Sequence, residues 1–563
     1  MTETVSPRRL RAIFALFACA TLLLTLRVGY WQTLGRGELL ESATDQVRSD
    51  LVLAAQRGVI RDRSGALLAT TVPLRSLYAI PKRIGDHEAR ASASAKLAPL
   101  LGTTSDAVLA ALESGAEWLY LRRRLPEDTS RAIESLAIPG LGFESEPKRL
   151  YPNDTIGAHV LGFVNDDGLG QYGIEGKYDP VLRGIPGRLV VERDPRDRDL
   201  AVGLRTARAP LDGADLDLTI DLVIQTSVER WLREAMQKEK ATSGTAIVLD
   251  PRDGAVLALA SYPTYDPAAV ARSDPQALMD RAVSWTYEPG STMKAFTIAA
   301  AIDQHVVTPN TTYDDKGYAI IGGRRLSNAL GKAYGISTVT QILEHSANAG
   351  AVFVGQRLGA EQLRSYLLGF GFGAPTAIDV SAEATGDVRP LAEWYPVDLG
   401  TISFGQGIAV TPIQLAAAYA AIANGGTLYR PYVVATRRDA DGEHRTAPVA
   451  VRRPITAETA ATLRTMLTST VDNGIANGAS IPRFSVAGKT GTAQIPSDDG
   501  RYLDDAYVSS FAGFVPANDP RFVVVLVLER PESRLLGTVT AMNAFRGIAL
   551  DALRTARVQP DRL

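Results

Sequence analysis

Hydrophobic and polar positions divide the chain into a short apolar lead and a long, finely alternating remainder. Ala12 to Leu26 (AIFALFACATLLLTL) is an uncharged, mostly apolar run of fifteen residues; Arg27 interrupts it and Val28-Gly29-Tyr30-Trp31 follow. With Arg27 lifted to the far interface and Tyr30 and Trp31 as an aromatic belt, residues 12–31 suffice for one membrane span. Arg8, Arg9 and Arg11 precede the run, which keeps the tail, residues 1–11, cytoplasmic. A cleaved signal peptide suits an apolar run of this length, but no small-x-small cleavage site follows it. Cleavage at Cys19, as in a lipoprotein, would expose Leu22-Leu23-Leu24.

Residues 32 to about 50 are polar, with Gly35 and Gly37, and predict a stalk. From Leu51 the pattern turns to short apolar runs joined by turns. Arg57-Gly58-Val59-Ile60-Arg61 and Ala66-Leu67-Leu68-Ala69 predict a hairpin turning at Asp62–Gly65. Helical stretches are expected in 92–137, and a Gly-dense patch runs from Gly157 to Gly187. Strands are predicted at 189–193 and 216–220, and residues 32–215 form one extended, non-catalytic module. A second domain, 216–563, opens with helical periodicity from Asp221 to Lys240. Thr245–Leu249 and Ala255–Ala260, joined by Asp250-Pro251-Arg252-Asp253-Gly254, predict a buried hairpin. Phe522-Val523-Val524-Val525-Leu526-Val527-Leu528 predicts another core strand, and Pro412–Ala423 a helix with Thr411 as N-cap and Gly425-Gly426 as stop. Strands at both ends of this domain with helices between them predict an α+β fold.

Composition narrows the functions open to such a chain. Its 563 residues are 45% hydrophobic and 22% charged, an ordinary globular balance. Lys plus Arg (60) against Asp plus Glu (62) leaves a net charge of −2, so no whole-chain basic field holds nucleic acid. One cysteine excludes a disulfide framework. Five histidines without an H-E-x-x-H spacing disfavour a zinc hydrolase. No metal or nucleotide cofactor is indicated. The basic residues are ten Lys against fifty Arg, and only Lys gives up its proton readily.

That scarcity draws attention to Glu288-Pro289-Gly290-Ser291-Thr292-Met293-Lys294, which leads into the apolar stretch Ala295–Ile302. Pro and Gly set up a helix start, so Ser291 and Lys294 share one face. A Ser hydroxyl attacks only when a base takes its proton, and Lys serves if burial or a second cation lowers its pKa. N–H groups at a helix start also steady an oxyanion. Alone, S-x-x-K is weak: Ser145-Glu146-Pro147-Lys148 also matches, and reads as a surface turn. Two further constellations support Ser291. His345-Ser346-Ala347-Asn348 brings a hydroxyl and an amide two residues apart. Val486-Ala487-Gly488-Lys489-Thr490-Gly491-Thr492 brings a second Lys among small residues, as an edge strand presenting backbone to a substrate would need. S-x-x-K, S-x-N and K-T-G in this order mark penicillin-binding proteins and class A β-lactamases. A Walker loop would need Gly where Arg483 stands. His345 lacks the G-x-S-x-G context of a Ser-His-Asp triad, and Asp166-Asp167 and Asp314-Asp315 read as acidic pairs facing water.

On these motifs the chain resembles a class B penicillin-binding protein, the membrane-anchored monofunctional peptidoglycan transpeptidase, and is most similar to the division-specific, FtsI-like type. Arg57-Gly58-x-Ile60-x-Asp62-Arg63-x-Gly65, Gly173-Ile174-Glu175 with Tyr178, Leu182, Gly184 and Gly187, and Ser403-Phe404-Gly405-Gln406-Gly407 with Thr411-Pro412-x-Gln414-Leu415 also look like that family. The resemblance implies a single anchor, a β-rich pedestal of the dimerisation type, and a transpeptidase domain with an antiparallel sheet flanked by helices. It implies Ser291 as nucleophile, Lys294 as general base and Ser346 as proton relay. Asn348, Lys489, Thr490, Gly491 and Thr492 would bind substrate, with the N–H groups of Ser291 and Thr492 as oxyanion hole. It further implies an inner-membrane protein with its catalytic part periplasmic, β-lactams as covalent inhibitors, and an FtsW-type glycan polymerase and other division proteins as partners. Ala347 departs from the Ser or Asp often found there, and Ala541-Met542-Asn543-Ala544-Phe545 lacks an expected Pro. The alternatives are an elongation-type transpeptidase with the same motifs, a β-lactam receptor, for which the short tail leaves no output domain, and a scaffold with a dead catalytic part. A β-lactamase would need an E-x-x-L-N loop, absent between 349 and 488.

Overall fold

The computed structural model describes residues 6–37, 48–192, 205–497 and 501–563. Most of the expected stalk (38–47) and Arg193, the last residue of one expected strand, lie outside the described residues. The chain forms two compact units, one of residues 1–56 and 184–213, the other of residues 57–183 and 214–563.

In the first unit a 26-residue helix, Pro7–Gln32, contains the whole apolar run. At 1.5 Å per residue it is about 39 Å long, more than a bilayer core of about 30 Å requires. Its side chains are almost all exposed, and the Arg27 guanidinium lies 5.0 Å from the centre of the Trp31 ring. This helix fits a single-pass membrane anchor. The unit also holds a three-stranded antiparallel sheet in the order Arg48–Leu53, Gly187–Glu192, Arg205–Arg208.

The second unit contains a seven-stranded sheet that crosses the chain's sequence halves. Leu67–Ala79 pairs with Leu119–Leu125 and Leu141–Leu150, and Leu77 and Ala79 on its inner face pack against helices His87–Leu101, Ser105–Leu112 and Glu127–Ser135. The strand at Leu119–Leu125 interrupts the stretch expected to be helical, because a partner strand distant in sequence recruits its alternating LYLRRRL. Ser145 and Lys148, expected in a turn, are exposed residues of a strand for the same reason. The hairpin at Asp62–Gly65 is present; Asp62 accepts from the Ser64 and Ala66 N–H groups, each at 2.8 Å. Asp215–Leu218 runs parallel to Ile60–Arg61 and antiparallel to Val434–Asp439. Gly58 is required at this seam: a Cβ there would lie 1.8 Å from the Ala214 carbonyl oxygen. Beside it the buried Glu175 carboxylate is held by two guanidiniums, Arg57 at 2.6 Å and Arg149 at 2.6 Å.

The same unit contains a five-stranded antiparallel sheet: β1 (Ser243–Leu249), β2 (Val256–Tyr262), β3 (Ala487–Pro496), β4 (Tyr502–Val515) and β5 (Phe522–Glu529), in the order β2-β1-β5-β4-β3. In β5, Val523, Val525 and Val527 face one hydrophobic cluster and Val524, Leu526 and Leu528 the other. A strand buried on both faces reads as a continuous apolar run, which is why its sequence does not alternate. One face packs on α1 (Leu222–Glu239) and α7 (Arg534–Thr555). The other packs on a layer that includes α2 (Lys294–Asp303), α5 (Pro412–Ala423) and α6 (Ala457–Asp472). Between these in sequence lie α3 (Val339–His345) and α4 (Asn348–Leu358). Thr411 caps α5 in a reciprocal capping box with Gln414. The missing Pro near Met542 leaves α7 continuous, with Ala541 and Phe545 buried against the sheet.

Candidate active site

Three structural joints meet at one point. Ser291 lies in a single 3₁₀ turn, Gly290–Met293, that runs directly into α2 at Lys294. The Phe296 ring on α2 packs on Phe370, Phe372 and Tyr419 at 4.9–5.3 Å, and the Tyr419 hydroxyl donates to the Thr292 carbonyl at 3.0 Å. The turn is fixed from behind. Ser346 ends α3 in left-handed backbone (φ 55°) and Ala347 starts α4, so Ser346 and Asn348 emerge from the corner between two helices. Lys489 and Thr490 stand on β3, the sheet edge.

Glycine permits the approach of turn to strand. Gly290 has φ +56°, and a Cβ there would sit 2.6 Å from the Thr492 carbonyl oxygen. A Cβ on Gly491 would meet Ser510 Oγ at 2.3 Å and the Pro289 carbonyl oxygen at 2.9 Å. The K-T-G spacing thus has a steric reason.

Lys294 is fully buried and its Nζ lies within hydrogen-bond distance of four oxygens: Ser291 Oγ (3.0 Å), the Ser346 carbonyl (2.6 Å), Ser346 Oγ (3.2 Å) and Asn348 Oδ1 (2.8 Å). Lys489, also fully buried, reaches Ser346 Oγ at 2.9 Å and Thr490 Oγ1 at 3.2 Å. Burial, and then the neighbouring Lys489 charge, hold Lys294 well below the ordinary lysine range, while Asp315 opposes them. Burial draws Lys489 down to about 7. Both shifts favour the neutral amine over the ammonium.

All eight residues singled out from sequence therefore gather here. The Thr492 hydroxyl is the exception in direction: it faces Thr538 Oγ1 at 3.0 Å, not the lysines. His345 stacks on Tyr334 (4.4 Å between ring centres) and has no part in the cluster. Asp315 was expected to face water and does not. It is buried, accepts from Tyr313 Oη (2.8 Å), the Gly317 N–H (2.8 Å) and Asn328 Nδ2 (2.9 Å), and Asn328 in turn accepts from the Ala349 N–H at 2.8 Å. This lattice braces the first turn of α4 behind Asn348. The alternation of Thr312–Asp315 as a strand, with Tyr313 and Asp315 on one face, was the available signal. Among the described residues no cluster of His, Cys, Asp and Glu would hold a metal ion.

Residues 244–548 match the penicillin-binding protein transpeptidase domain, and residues 52–218 the penicillin-binding protein dimerisation domain. The chain belongs to the class B penicillin-binding proteins. It is 33% identical to stage V sporulation protein D of Bacillus subtilis, over 98% of this chain and 86% of that one. It is 31% identical to the peptidoglycan D,D-transpeptidase FtsI of Escherichia coli, over 98% and 93% respectively. Among solved structures, penicillin-binding protein 3 of Mycobacterium tuberculosis, complexed with aztreonam, superposes with a TM-score of 0.71 at 27% identity, covering 91% of this chain and 98% of that one. As a class B penicillin-binding protein the chain is a peptidoglycan D,D-transpeptidase. Its substrate is peptidoglycan, and β-lactams are ligands of the family.

Proposed function

We propose that this transpeptidase works in septal wall synthesis and cross-links stem peptides through an acyl-enzyme on Ser291. The observation that carries the mechanism is the contact between Ser291 Oγ and a buried, charge-depleted Lys294 at 3.0 Å. Lys294 takes the hydroxyl proton as Oγ attacks the D-Ala-D-Ala carbonyl. The N–H groups of Ser291 and Thr492 receive the oxyanion. Ser346, bonded to both lysines, passes a proton to the leaving D-Ala amine, and the C–N bond breaks. Asn348 hydrogen-bonds the donor peptide's amide, and Gly491 lets that backbone lie close. Lys489 and Thr490 hold the terminal carboxylate, and the Thr492 hydroxyl turns from Thr538 to join them. Because Lys489 titrates near neutrality when the site is empty, an arriving carboxylate draws a proton onto it, and the ion pair forms on binding. A neighbouring stem's amine then resolves the ester.

The likeness to FtsI over nearly the whole chain supports the division role. On this reading residues 12–31 span the inner membrane with the tail cytoplasmic, residues 32–215 form the pedestal and 216–563 the periplasmic transpeptidase. An FtsW-type polymerase supplies uncrosslinked strands. The test is labelling of the full chain by a fluorescent penicillin. Ser291→Ala is expected to lose the label by about 10⁴-fold or more; a mutant that labels normally would remove Ser291 from the mechanism. For the division role, depletion is expected to give filaments; rounded cells would mean an elongation enzyme.

A further inference from the structure

Cross-linking has two halves with opposite proton demands. In the first, Ser291 gives up a proton. In the second, the acceptor arrives as an ammonium, with an amine pKa near 10, and is no nucleophile until it loses one. The wall that serves the first half offers an ammonium no anion, because Lys294 and Lys489 crowd around Ser346.

The segment that leads into the Ser291 turn carries a carboxylate that the first half does not use. Glu288 stands three residues before Ser291. Gly290, between them, donates its N–H to the Gly405 carbonyl at 3.0 Å, and Glu288 Oε1 accepts from the Gly407 N–H at 2.8 Å. Both Glu288 oxygens lie 3.1 Å from Tyr502 Oη, which faces the far end of β3 through the Pro496–Tyr502 pair. Glu288 is thus held between the 405–407 turn and the start of β4. It is half-buried, and among the described residues no Lys or Arg forms an ion pair with it. Near Gly407, Arg389 and Asp398 are already paired with each other at 2.7 Å.

We infer that Glu288 is the base for the acceptor: its carboxylate takes a proton from the incoming ammonium, and the amine so formed attacks the ester on Ser291. The inference rests on the acyl-enzyme mechanism proposed above. As the new C–N bond forms, the nitrogen's second proton passes through Lys294 to Ser291 Oγ, and the ester C–O bond breaks. Glu288 then returns its proton to water. Burial raises the carboxyl to about 7, where it both accepts and releases a proton near neutral pH. A brace for the 405–407 turn would need no charge, since a glutamine amide oxygen also accepts from Gly407 and Tyr502.

That difference supplies the test. The full chain in detergent is first labelled with fluorescent penicillin, which reads acylation alone. A D-alanyl thioester donor is then offered with D-alanine as acceptor, and transfer is separated from hydrolysis. Glu288→Gln is expected to label within about threefold of the parent, while transfer at pH 7 falls on the order of 10²-fold. The deficit should shrink as pH rises towards the acceptor's own pKa, where the amine needs no base. Transfer unchanged in Glu288→Gln, or transfer and labelling lost in parallel at every pH, would overturn the assignment. A parent protein that takes no label would instead refute the acyl-enzyme mechanism on which the inference stands.

Discussion

Lys294 and Lys489 hydrogen-bond one hydroxyl, their Nζ atoms lying 3.2 and 2.9 Å from Ser346 Oγ. Burial disfavours charge on each, and the Lys489 charge further disfavours charge on Lys294. On the proposed mechanism the pair keeps Lys294 able to accept the Ser291 proton, and Asn348, which turns Oδ1 to Lys294 and Nδ2 to the Ser327 carbonyl at 3.0 Å, fixes its direction.

The first prediction follows from that coupling. Removing the Lys489 charge raises the Lys294 pKa towards its ordinary 10.5, so Lys294 carries its proton over a wider range. The acid limb of penicillin acylation should move to higher pH in Lys489→Ala, and the second-order rate at pH 7 should fall roughly ten- to a hundredfold as carboxylate recognition is also lost. A stopped-flow pH profile of labelling is the measurement. An unchanged rate and an unchanged limb would contradict both roles of Lys489.

Gly290→Ala probes the joint between turn and strand. The new Cβ meets the Thr492 carbonyl oxygen at 2.6 Å in a backbone at φ +56°, so β3 and the Ser291 turn must separate. A displacement of about 1 Å costs on the order of 10² in rate, and the left-handed backbone adds about 1 kcal/mol of destabilisation. Circular dichroism should show a folded protein and penicillin labelling a slow one. Normal labelling would show that the contact yields without consequence.

In the pedestal part, Glu175→Gln leaves the buried Arg57 and Arg149 guanidiniums facing a neutral amide. Breaking a buried ion pair by removing one partner costs about 3–5 kcal/mol, so denaturant unfolding of this variant should shift to a clearly lower midpoint. A shift under about 1 kcal/mol would mean that water enters to replace the lost charge.

What sequence reveals here follows the range of the interactions. The β1–β2 hairpin, α1 behind its Asp221 cap, the β5 strand and α5 behind Thr411 all rest on signals within a few residues, and all are present. Ser291 and Lys294 are one helical turn apart, so their meeting needs no tertiary knowledge. The misreadings concern partners that the local pattern does not name. Leu119–Leu125 is a strand because Leu67–Ala79 lies beside it. Asp215–Leu218 shares a sheet with Val434–Asp439 over more than two hundred residues. Asp315 is buried because Asn328 and Tyr313 satisfy its carboxylate, which an acidic dipeptide does not announce.

Covered on both faces, the five-stranded sheet can be extended only sideways. Its β2 edge is already occupied: Asp221 and Thr219 engage Leu257 and Val256, Gln225 brackets Leu259, and Val256 donates to Tyr432. Among the described residues no strand pairs with the outer side of β3. An edge presents backbone groups at a repeat of about 6.8 Å, a ruler that measures straightness before it senses side chains. A chain that is tied in a ring or coiled on itself must unbend to meet it, at a cost in conformational entropy. On the proposed reading, a stem peptide already extended pays less of that cost at β3 than a coiled one.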